Sequence, residues 1–249
     1  MKDNSFFLEG DDRLVILLHA YTSSANDNYS IARALNREGY SVYAPTLSGH
    51  AEDNMDDLLE YEASDWVEDG QRFVKEMQDK GYNKIAMFGL SLGGIIATKT
   101  LLDNDTIIAA GSFCSPLYEN GRGSNVAKEF ENSYKKTMPE ESLTESGIQN
   151  MRQKVNARLE TLNDLVNNEM TPRYPEITRQ IFIAQGGKDT MIDPTIALDY
   201  RDQLVNADVS FNWYEDAPHF ITVGRSGKAL QEDLIPFVNQ LNWNRGNNE

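Results

Sequence analysis

The sequence predicts an α/β fold in which helices cover both faces of a mostly parallel sheet. Short runs rich in Val, Ile and aromatic residues alternate with longer amphipathic segments along most of the chain. Such alternation is typical of strand–helix–strand units, whose strands pair in parallel. It is interrupted once, in a stretch of about 60 residues that carries only helical patterns. These observations favour a single α/β core with one helical insertion.

Six runs are predicted as strands because they are brief, bounded by turn residues and apolar enough to be buried on both faces. They are RLVILL (13–18), YSVYA (40–44), KIAMF (84–88), IIAAGSF (107–113), QIFIA (180–184) and VSFNWY (209–214). The predicted helices lie between the strands, in NYSIARALNREG (28–39), SDWVEDGQRFVKEMQDKG (64–81), the segment after residue 91, PTIALDYRDQLV (194–205) and KALQEDLIPFVNQL (228–241).

The helical insertion is expected between Leu117 and Pro175. Its apolar residues recur at helical spacing, at positions 126, 130 and 134 and again at 148, 151, 155, 159 and 162. The insertion is either a packing appendage or a cap that covers a site at the strand ends, and the cap is the favoured interpretation. The predicted organisation is therefore a core of residues 1–116 and 176–249 with a cap of residues 117–175.

The charge of the chain excludes some classes of partner. Its 249 residues include 39 acidic and 23 basic side chains, for a formal net charge of −16. Such a surface repels nucleic-acid phosphates and anionic headgroups, so neither nucleic-acid binding nor membrane insertion is expected. The acidic run from Glu52 to Asp69 is predicted to be a solvated face.

The single cysteine, Cys114, allows no internal disulfide and no CxxC motif, and a buried inert thiol is expected. The first ten residues lack the apolar region of a secretory signal, and no run reaches the roughly 18 apolar residues of a membrane span. A cytoplasmic protein is predicted.

The stretch FGLSLGG (88–94) raises the first functional hypothesis. Ser91 is flanked by Gly89 and Gly93 where a predicted strand gives way to a predicted helix. In that context G-x-S-x-G describes a sharp turn that holds a nucleophilic serine in a strained conformation, and side chains at the flanking positions would clash. The new helix also directs its N-terminal N–H groups at the reacting centre. Ser91 is predicted to be a nucleophile rather than a turn residue.

A serine nucleophile needs a base, and the chain has three histidines. His19 and His50 precede the nucleophile. His219 alone follows it, in a loop after the last predicted strand, as the chain order Ser, acid, His requires. Catalytic groups on such sheets come from loops at the carboxyl ends of strands. His219 is therefore the predicted base.

The carboxylate that orients the base has three candidates. Asp193 precedes a proline and an amphipathic run, so a helix N-cap accounts for it. Asp216 lies only three residues from His219. Asp189 follows a strand and a Gly-Gly turn and has no other evident duty, so it is the predicted third member.

The predicted oxyanion hole consists of two backbone N–H groups. One belongs to Leu92, the residue after the nucleophile, and the other to Tyr21, in the loop after the first clear strand. No spacing of metal ligands is present, and neither a metal nor an organic cofactor is expected.

Several motifs together resemble the α/β-hydrolase superfamily, in its bacterial carboxylesterase and monoacylglycerol-lipase-like branch. They are VILLHAYTS, YAPTLSGHAED, SDWVEDG, GYNKIAMFGLSLGG, GGKDTMIDP and WYEDAPHFIT, and the similarity runs from Leu14 to Trp243. The resemblance implies a core sheet with a small helical lid, Ser91, Asp189 and His219 as triad, and Tyr21 and Leu92 as oxyanion-hole amides.

The resemblance also implies that His50 is structural rather than catalytic. The chain departs from the pattern at Ala20, where relatives usually have glycine, and a methyl group there restricts the loop that carries Tyr21.

The expected function is that of a serine esterase that cleaves short- to medium-chain carboxylic esters. The small-molecule ester is the expected partner, and the sequence leaves the oligomeric state open. Three alternatives remain: a thioesterase, a feruloyl-type aryl esterase, and a ligand receptor that keeps the hydrolase fold without turnover.

Overall fold

A computed structural model of the chain describes residues 4–50, 55–118 and 124–243. Its centre is a seven-stranded sheet of order β1-β3-β2-β4-β5-β6-β7, parallel except for β1, which pairs antiparallel with β3. The strands are β1 (Phe6–Leu8), β2 (Arg13–Leu18), β3 (Ser41–Ala44), β4 (Lys84–Leu90), β5 (Ile107–Phe113), β6 (Gln180–Gly186) and β7 (Asp208–Tyr214). The predicted α/β architecture is confirmed.

Eight α-helices lie between the strands or after the last one in the described ranges. They are α1 (Tyr29–Arg37), α2 (Met55–Leu58), α3 (Ala63–Asp79), α4 (Leu92–Asp103), α5 (Val126–Thr137), α6 (Glu145–Asp164), α7 (Ile196–Gln203) and α8 (Gly224–Asn239). Among these helices none has both the length and the apolar character that crossing a bilayer requires.

The side chains of β2 show that an apolar layer covers each face of the sheet. Its side chains alternate between faces, as the pleat of a strand requires. Leu14 and Ile16 pack in a core layer with α3 and α4, while Val15 and Leu17 pack in a second layer with α1 and α8. Because both layers are apolar, the strand is a continuous apolar run rather than an alternating one.

Two features of the sheet differ from the sequence-based expectation. The strand β1 was not predicted, because a three-residue edge strand leaves too short a pattern; Phe6 pairs with Ala44 and Leu8 with Val42. The prediction that β7 is buried on both faces is wrong, since most of its residues are partly exposed. It forms the other edge of the sheet and pairs with a neighbouring strand, β6, on one side only.

The segment between β5 and β6 contains helices and no strand in its described part. It contains α5 and α6, and α6 continues into a π-helical turn (Leu165–Met170) and 3₁₀ turns up to Glu176. Most of the residues at the predicted helical spacing are buried, namely Phe130, Tyr134, Met151, Val155 and Leu162. This insertion packs its apolar stripe on the same core layer as α3 and α4.

The prediction that the acidic run is a solvated face is wrong at Asp69. This carboxylate is only 3% exposed and accepts hydrogen bonds from the backbone N–H of Ser48 at 2.6 Å and from its hydroxyl at 2.9 Å. Arg72, one turn along α3, pairs with it. Burial of a charge is tolerated when it is paired and hydrogen-bonded in this way. The beginning of the acidic run, Glu52 and Asp53, lies outside the described residues.

Candidate active site

The residues predicted as nucleophile, acid and base all lie at the carboxyl edge of the sheet. Ser91 directly follows β4, Asp189 follows β6, and His219 follows β7. Because β4, β5, β6 and β7 are successive neighbours and run parallel, their carboxyl ends meet at one edge. Positions distant in sequence therefore lie at the same edge of the sheet.

The turn at Ser91 is strained and requires small neighbours. Ser91 has φ 54° and ψ −113°, a conformation that L-residues rarely adopt. A Cβ atom at Gly89 would lie 2.2 Å from the carbonyl carbon of Gly93, and one at Gly93 would lie 2.5 Å from the carbonyl oxygen of Leu18. Both contacts are with backbone, which cannot move aside. The two glycines therefore allow β4, β2 and the start of α4 to approach closely.

The helix α4 begins immediately after the serine. Its first residue is Leu92, and the N–H groups of Gly94 and Ile95 already donate to the carbonyl oxygen of Ser91. The N–H groups at a helix start have no partner within the helix. The Leu92 N–H is therefore suited to bind an anion that develops beside Ser91.

Asp189 and His219 form a buried pair. The His219 Nδ1 atom lies 2.7 Å from Asp189 Oδ2, and the side chains are 4% and 0% exposed, respectively. The other carboxylate oxygen, Oδ1, accepts the backbone N–H groups of Met191 at 2.8 Å and Ile192 at 3.1 Å. Since a carboxylate oxygen accepts this hydrogen bond, Nδ1 carries the proton, and Nε2 of the neutral imidazole keeps a free lone pair.

The other two acidic candidates have different environments. Asp193 accepts the backbone N–H and hydroxyl of Thr195 at 2.9 and 2.7 Å. The expectation that Asp193 is the N-cap of the following helix is wrong, since α7 begins at Ile196 and Thr195 is its N-cap. The Asp216 side chain is exposed and pairs with Lys188.

The loop after β2 lines the same cavity as Ser91. Ala20 does not have a positive φ, so its methyl group is compatible with the sign of its φ. The residue of this loop in the left-handed region is Thr22, with φ 61°. The Tyr21 ring stacks on Phe130 of α5 at 5.6 Å between centroids and meets Trp66 edge-on at the same distance. The loop is thus packed between α3 and α5.

A cavity of about 120 Å³ joins these parts. It is lined by residues of the β2 loop, the serine turn, α5, the Asp189 loop and the His219 loop: Ala20, Tyr21, Thr22, Ser91, Val126, Glu129, Phe130, Ser133, Met191, His219 and Phe220. No hydrogen bond joins the Ser91 hydroxyl to His219 within the described residues. Such contacts are often long without substrate and tighten in the reacting complex.

Comparison with protein families identifies the chain. Residues 10–224 match the family described as serine aminopeptidase, S33. The chain belongs to this family. A carboxylesterase of Bacillus subtilis (strain 168) is 28% identical over 249 residues, covering 96% of this chain and 97% of the relative.

Solved structures agree on the α/β-hydrolase fold. One, of the metagenome-derived lipolytic enzymes LipS and LipT, superposes with a TM-score of 0.70 at 18% identity and covers 94% of this chain and 96% of its own. Mouse alpha/beta hydrolase domain-containing protein 10 gives a TM-score of 0.67 at 15% identity, with 94% and 93% covered. The resemblance that the motifs predicted is confirmed at the level of the superfamily and of the fold.

The remaining histidines of this α/β hydrolase are buried beside the β2 loop. His19 Nδ1 donates to the Ala20 carbonyl at 2.9 Å, and its Nε2 accepts the Leu47 N–H at 3.0 Å. Burial lowers the pKa of His19 to about 4 and that of His50 to about 3. Both rings are therefore neutral near pH 7, and His19 connects the loops that carry Tyr21 and Leu47.

Cys114 lies behind the Asp189 loop. Its Sγ accepts the Gly186 N–H at 3.3 Å, and burial raises the pKa of the thiol. The thiol is therefore protonated and inert, as expected of a structural cysteine. Within the described ranges, no group of three His, Cys, Asp or Glu side chains is arranged to hold a metal ion.

Sequence reasoning missed the polar side chains that α5 contributes to the cavity. Glu129 and Ser133 lie one helical turn apart on the cavity wall, and Met191 lines it from the Asp189 loop. The helical spacing of apolar residues drew attention to Phe130 but carries no signal for its polar neighbours. Only the packing of α5 over the serine turn brings Glu129 to the site.

Proposed function

We propose that the chain is a serine hydrolase that cleaves carboxylic esters through an acyl-enzyme on Ser91. The observation that carries this proposal is the buried Asp189–His219 pair, 2.7 Å between Oδ2 and Nδ1, at a cavity that Ser91 also lines from a strained turn. The B. subtilis carboxylesterase, with which the chain shares its full length, supports the same reaction class.

In the proposed mechanism, His219 Nε2 takes the Ser91 proton as Oγ attacks the ester carbonyl carbon. The N–H groups of Leu92 and Tyr21 bind the oxyanion of the tetrahedral intermediate. When the intermediate collapses, the ester C–O bond breaks and the alcohol leaves with the proton from His219. Water then attacks the acyl carbon, giving its proton to His219, and the acid is released as Ser91 regains its hydrogen. Asp189 holds the imidazole in the tautomer that this sequence requires.

Residues 117–175 act as a cap in this proposal, over a core of residues 1–116 and 176–249. Support comes from α5, whose residues Val126, Phe130 and Ser133 line the cavity beside Ser91. The start of α5 is fixed on the Asp189 loop, because Asn125 donates its backbone N–H to the Met191 carbonyl at 2.8 Å. These contacts support a cap over a distant packing appendage.

The cavity favours the short end of the predicted range of acyl groups. Its volume of about 120 Å³ compares with the roughly 150 Å³ of an apolar cavity that takes up benzene. Acyl groups of two to about five carbon atoms have a comparable size, whereas longer chains require the cap to move. We therefore expect the specificity constant to be highest for short-chain esters.

A panel of 4-nitrophenyl esters from acetate to decanoate tests the proposal, together with an aryl thioester and a feruloyl ester of similar size. We expect turnover of the short oxygen esters and a loss of at least about 10³-fold in kcat for Ser91→Ala and for His219→Ala, with unchanged unfolding midpoints. Preference for the thioester or the feruloyl ester would assign the alternative activity. A Ser91→Ala variant that keeps a tenth of the wild-type turnover would refute the mechanism.

A further inference from the structure

Glu129 occupies an unusual position in the cavity described above. Among the described lining residues it is the one acid, no lysine or arginine accompanies it, and His219 is the other titratable side chain besides the Tyr21 phenol. The phenol is buried, and burial raises its pKa, so it carries no charge. Among the described lining residues, Glu129 therefore supplies the one carboxylate.

The position of Glu129 is fixed from two sides. One turn before it, Asn125 donates its side-chain amide to the Thr190 carbonyl at 2.7 Å and its backbone N–H to Met191. One residue after it, Phe130 is buried and stacks on Tyr21. The first turn of α5 is thus tied to both the Asp189 loop and the β2 loop. The backbone that carries Glu129 is therefore fixed beside the cavity, and the carboxylate accepts the side-chain amide of Asn132 at 3.3 Å.

Burial distinguishes the two ends of the cavity. Ala20, Tyr21 and Phe130 are buried and form its inner part, whereas Glu129 and Phe220 are exposed and lie at its mouth. A narrow inner part suits the acyl group that is bound to Ser91 in the intermediate. The mouth then receives the alcohol part of the ester, beside the carboxylate and the exposed Phe220 ring.

We propose that Glu129 determines substrate specificity by charge, favouring esters whose alcohol part carries a cation and disfavouring those whose alcohol part carries an anion. This inference rests on the proposed ester hydrolysis. A cationic group at the mouth would meet the carboxylate and the face of Phe220, both of which attract positive charge. An anionic group would meet the same carboxylate with no lysine or arginine among the described lining residues to offset it.

The expected effect is moderate because the carboxylate is exposed to water. At a separation of a few ångströms from the substrate charge, partial screening leaves a preference of about three- to tenfold for each sign of charge. Between a cationic and an anionic ester of the same size, the ratio of specificity constants is then about ten- to a hundredfold. High salt reduces it, since the Debye length falls from about 10 Å at 0.1 M to about 3 Å at 1 M.

Three butyrate esters of similar size test the inference: butyrylcholine, the neutral 3,3-dimethylbutyl butyrate and the anionic 2-sulfoethyl butyrate. Hydrolysis is followed by acid release in a pH-stat, and kcat/KM is determined for each ester. We expect the cationic-to-anionic ratio to fall at least about fivefold in Glu129→Gln and further in Glu129→Lys, and to persist in Glu129→Asp. In the wild type, the ratio is expected to fall in 1 M NaCl.

Glu160→Gln is the matched control, because Glu160 is an exposed acid on α6 that does not line the cavity. It removes the same formal charge from the same insertion, and we expect it to leave the ratio within twofold of wild type. A ratio that stays unchanged in Glu129→Gln, or that falls equally in Glu160→Gln, overturns the inference while ester hydrolysis stands. Absence of hydrolysis of all three esters and of the 4-nitrophenyl panel would instead refute the proposed function.

Discussion

The two oxygens of Asp189 have separate partners, so substitutions of this residue test the proposed site in detail. Oδ2 accepts the His219 Nδ1–H and, at 3.3 Å, the side-chain amide of Gln185, whereas Oδ1 accepts the backbone N–H groups of Met191 and Ile192. An asparagine offers one oxygen and one amide nitrogen. We expect Asp189→Asn to keep the oxygen toward the two loop N–H groups and to place its NH₂ group against His219.

The expected consequence of Asp189→Asn is a large loss of rate with a small loss of stability. An NH₂ group cannot accept the Nδ1–H, so the imidazole turns to the tautomer that carries its proton on Nε2 and cannot take one from Ser91. The loss in kcat is expected to be about 10⁴-fold, equivalent to about 5.5 kcal/mol of activation free energy. Because the two loop hydrogen bonds survive while the Gln185 amide loses its acceptor, the free energy of unfolding should fall by about 1–2 kcal/mol.

Asp189→Ala separates the two roles, since it removes both oxygens. Its rate loss should equal that of the asparagine variant within about tenfold, but it also leaves two backbone N–H groups without their charged acceptor. At about 1.5–3 kcal/mol for each such hydrogen bond, the free energy of unfolding should fall by about 3–6 kcal/mol. Steady-state kinetics on a short-chain 4-nitrophenyl ester and urea denaturation measure the two quantities. An asparagine variant that keeps more than a tenth of the wild-type kcat would refute the assignment.

Two further predictions concern the frame around the site. Gly89→Ala should lower the free energy of unfolding by about 3 kcal/mol or more and abolish activity, because its Cβ would lie 2.2 Å from a backbone carbon. Gly81 has open space around it but a φ of 98°, so Gly81→Ala should lower the free energy of unfolding by only about 1–2 kcal/mol. Stability should also fall with acid, because the folded-state pKa values of His19 and His50, about 4 and about 3, lie below the unfolded value of 6.5. As the pH falls, the unfolded chain binds protons before the folded chain does. The stability that each buried neutral histidine contributes is therefore fully present above pH 6.5, and about 2 kcal/mol of it is lost by pH 5. Urea denaturation at pH 7 and pH 5 measures this loss. His50→Gln should flatten the slope, and an unchanged slope would contradict the prediction.

Much of the fold could be predicted because its strands and helices have strong local patterns. The buried strands are continuous apolar runs, and the turn around Ser91 has glycines that its backbone geometry requires. The strand β1 and the half-exposed β7 could not be predicted equally well, since edge strands are short or amphipathic and depend on a partner elsewhere in the chain.

The positions of individual polar side chains were harder to predict than the elements that carry them. Asp69 is one of several acids in its segment, and its burial depends on Ser48, 21 residues earlier in the chain. Glu129 reaches the cavity only because α5 is anchored on the Asp189 loop. Neither contact leaves a local signal, because each is set by the packing of distant elements.

Covalent trapping of the nucleophile tests the central proposal most directly. The protein is incubated with a fluorophosphonate, digested and analysed by mass spectrometry. We expect one phosphonyl adduct, on the peptide that contains Ser91, formed slowly or not at all in His219→Ala and absent in Ser91→Ala. An adduct on a different residue, or no adduct on a protein that hydrolyses esters, would contradict it.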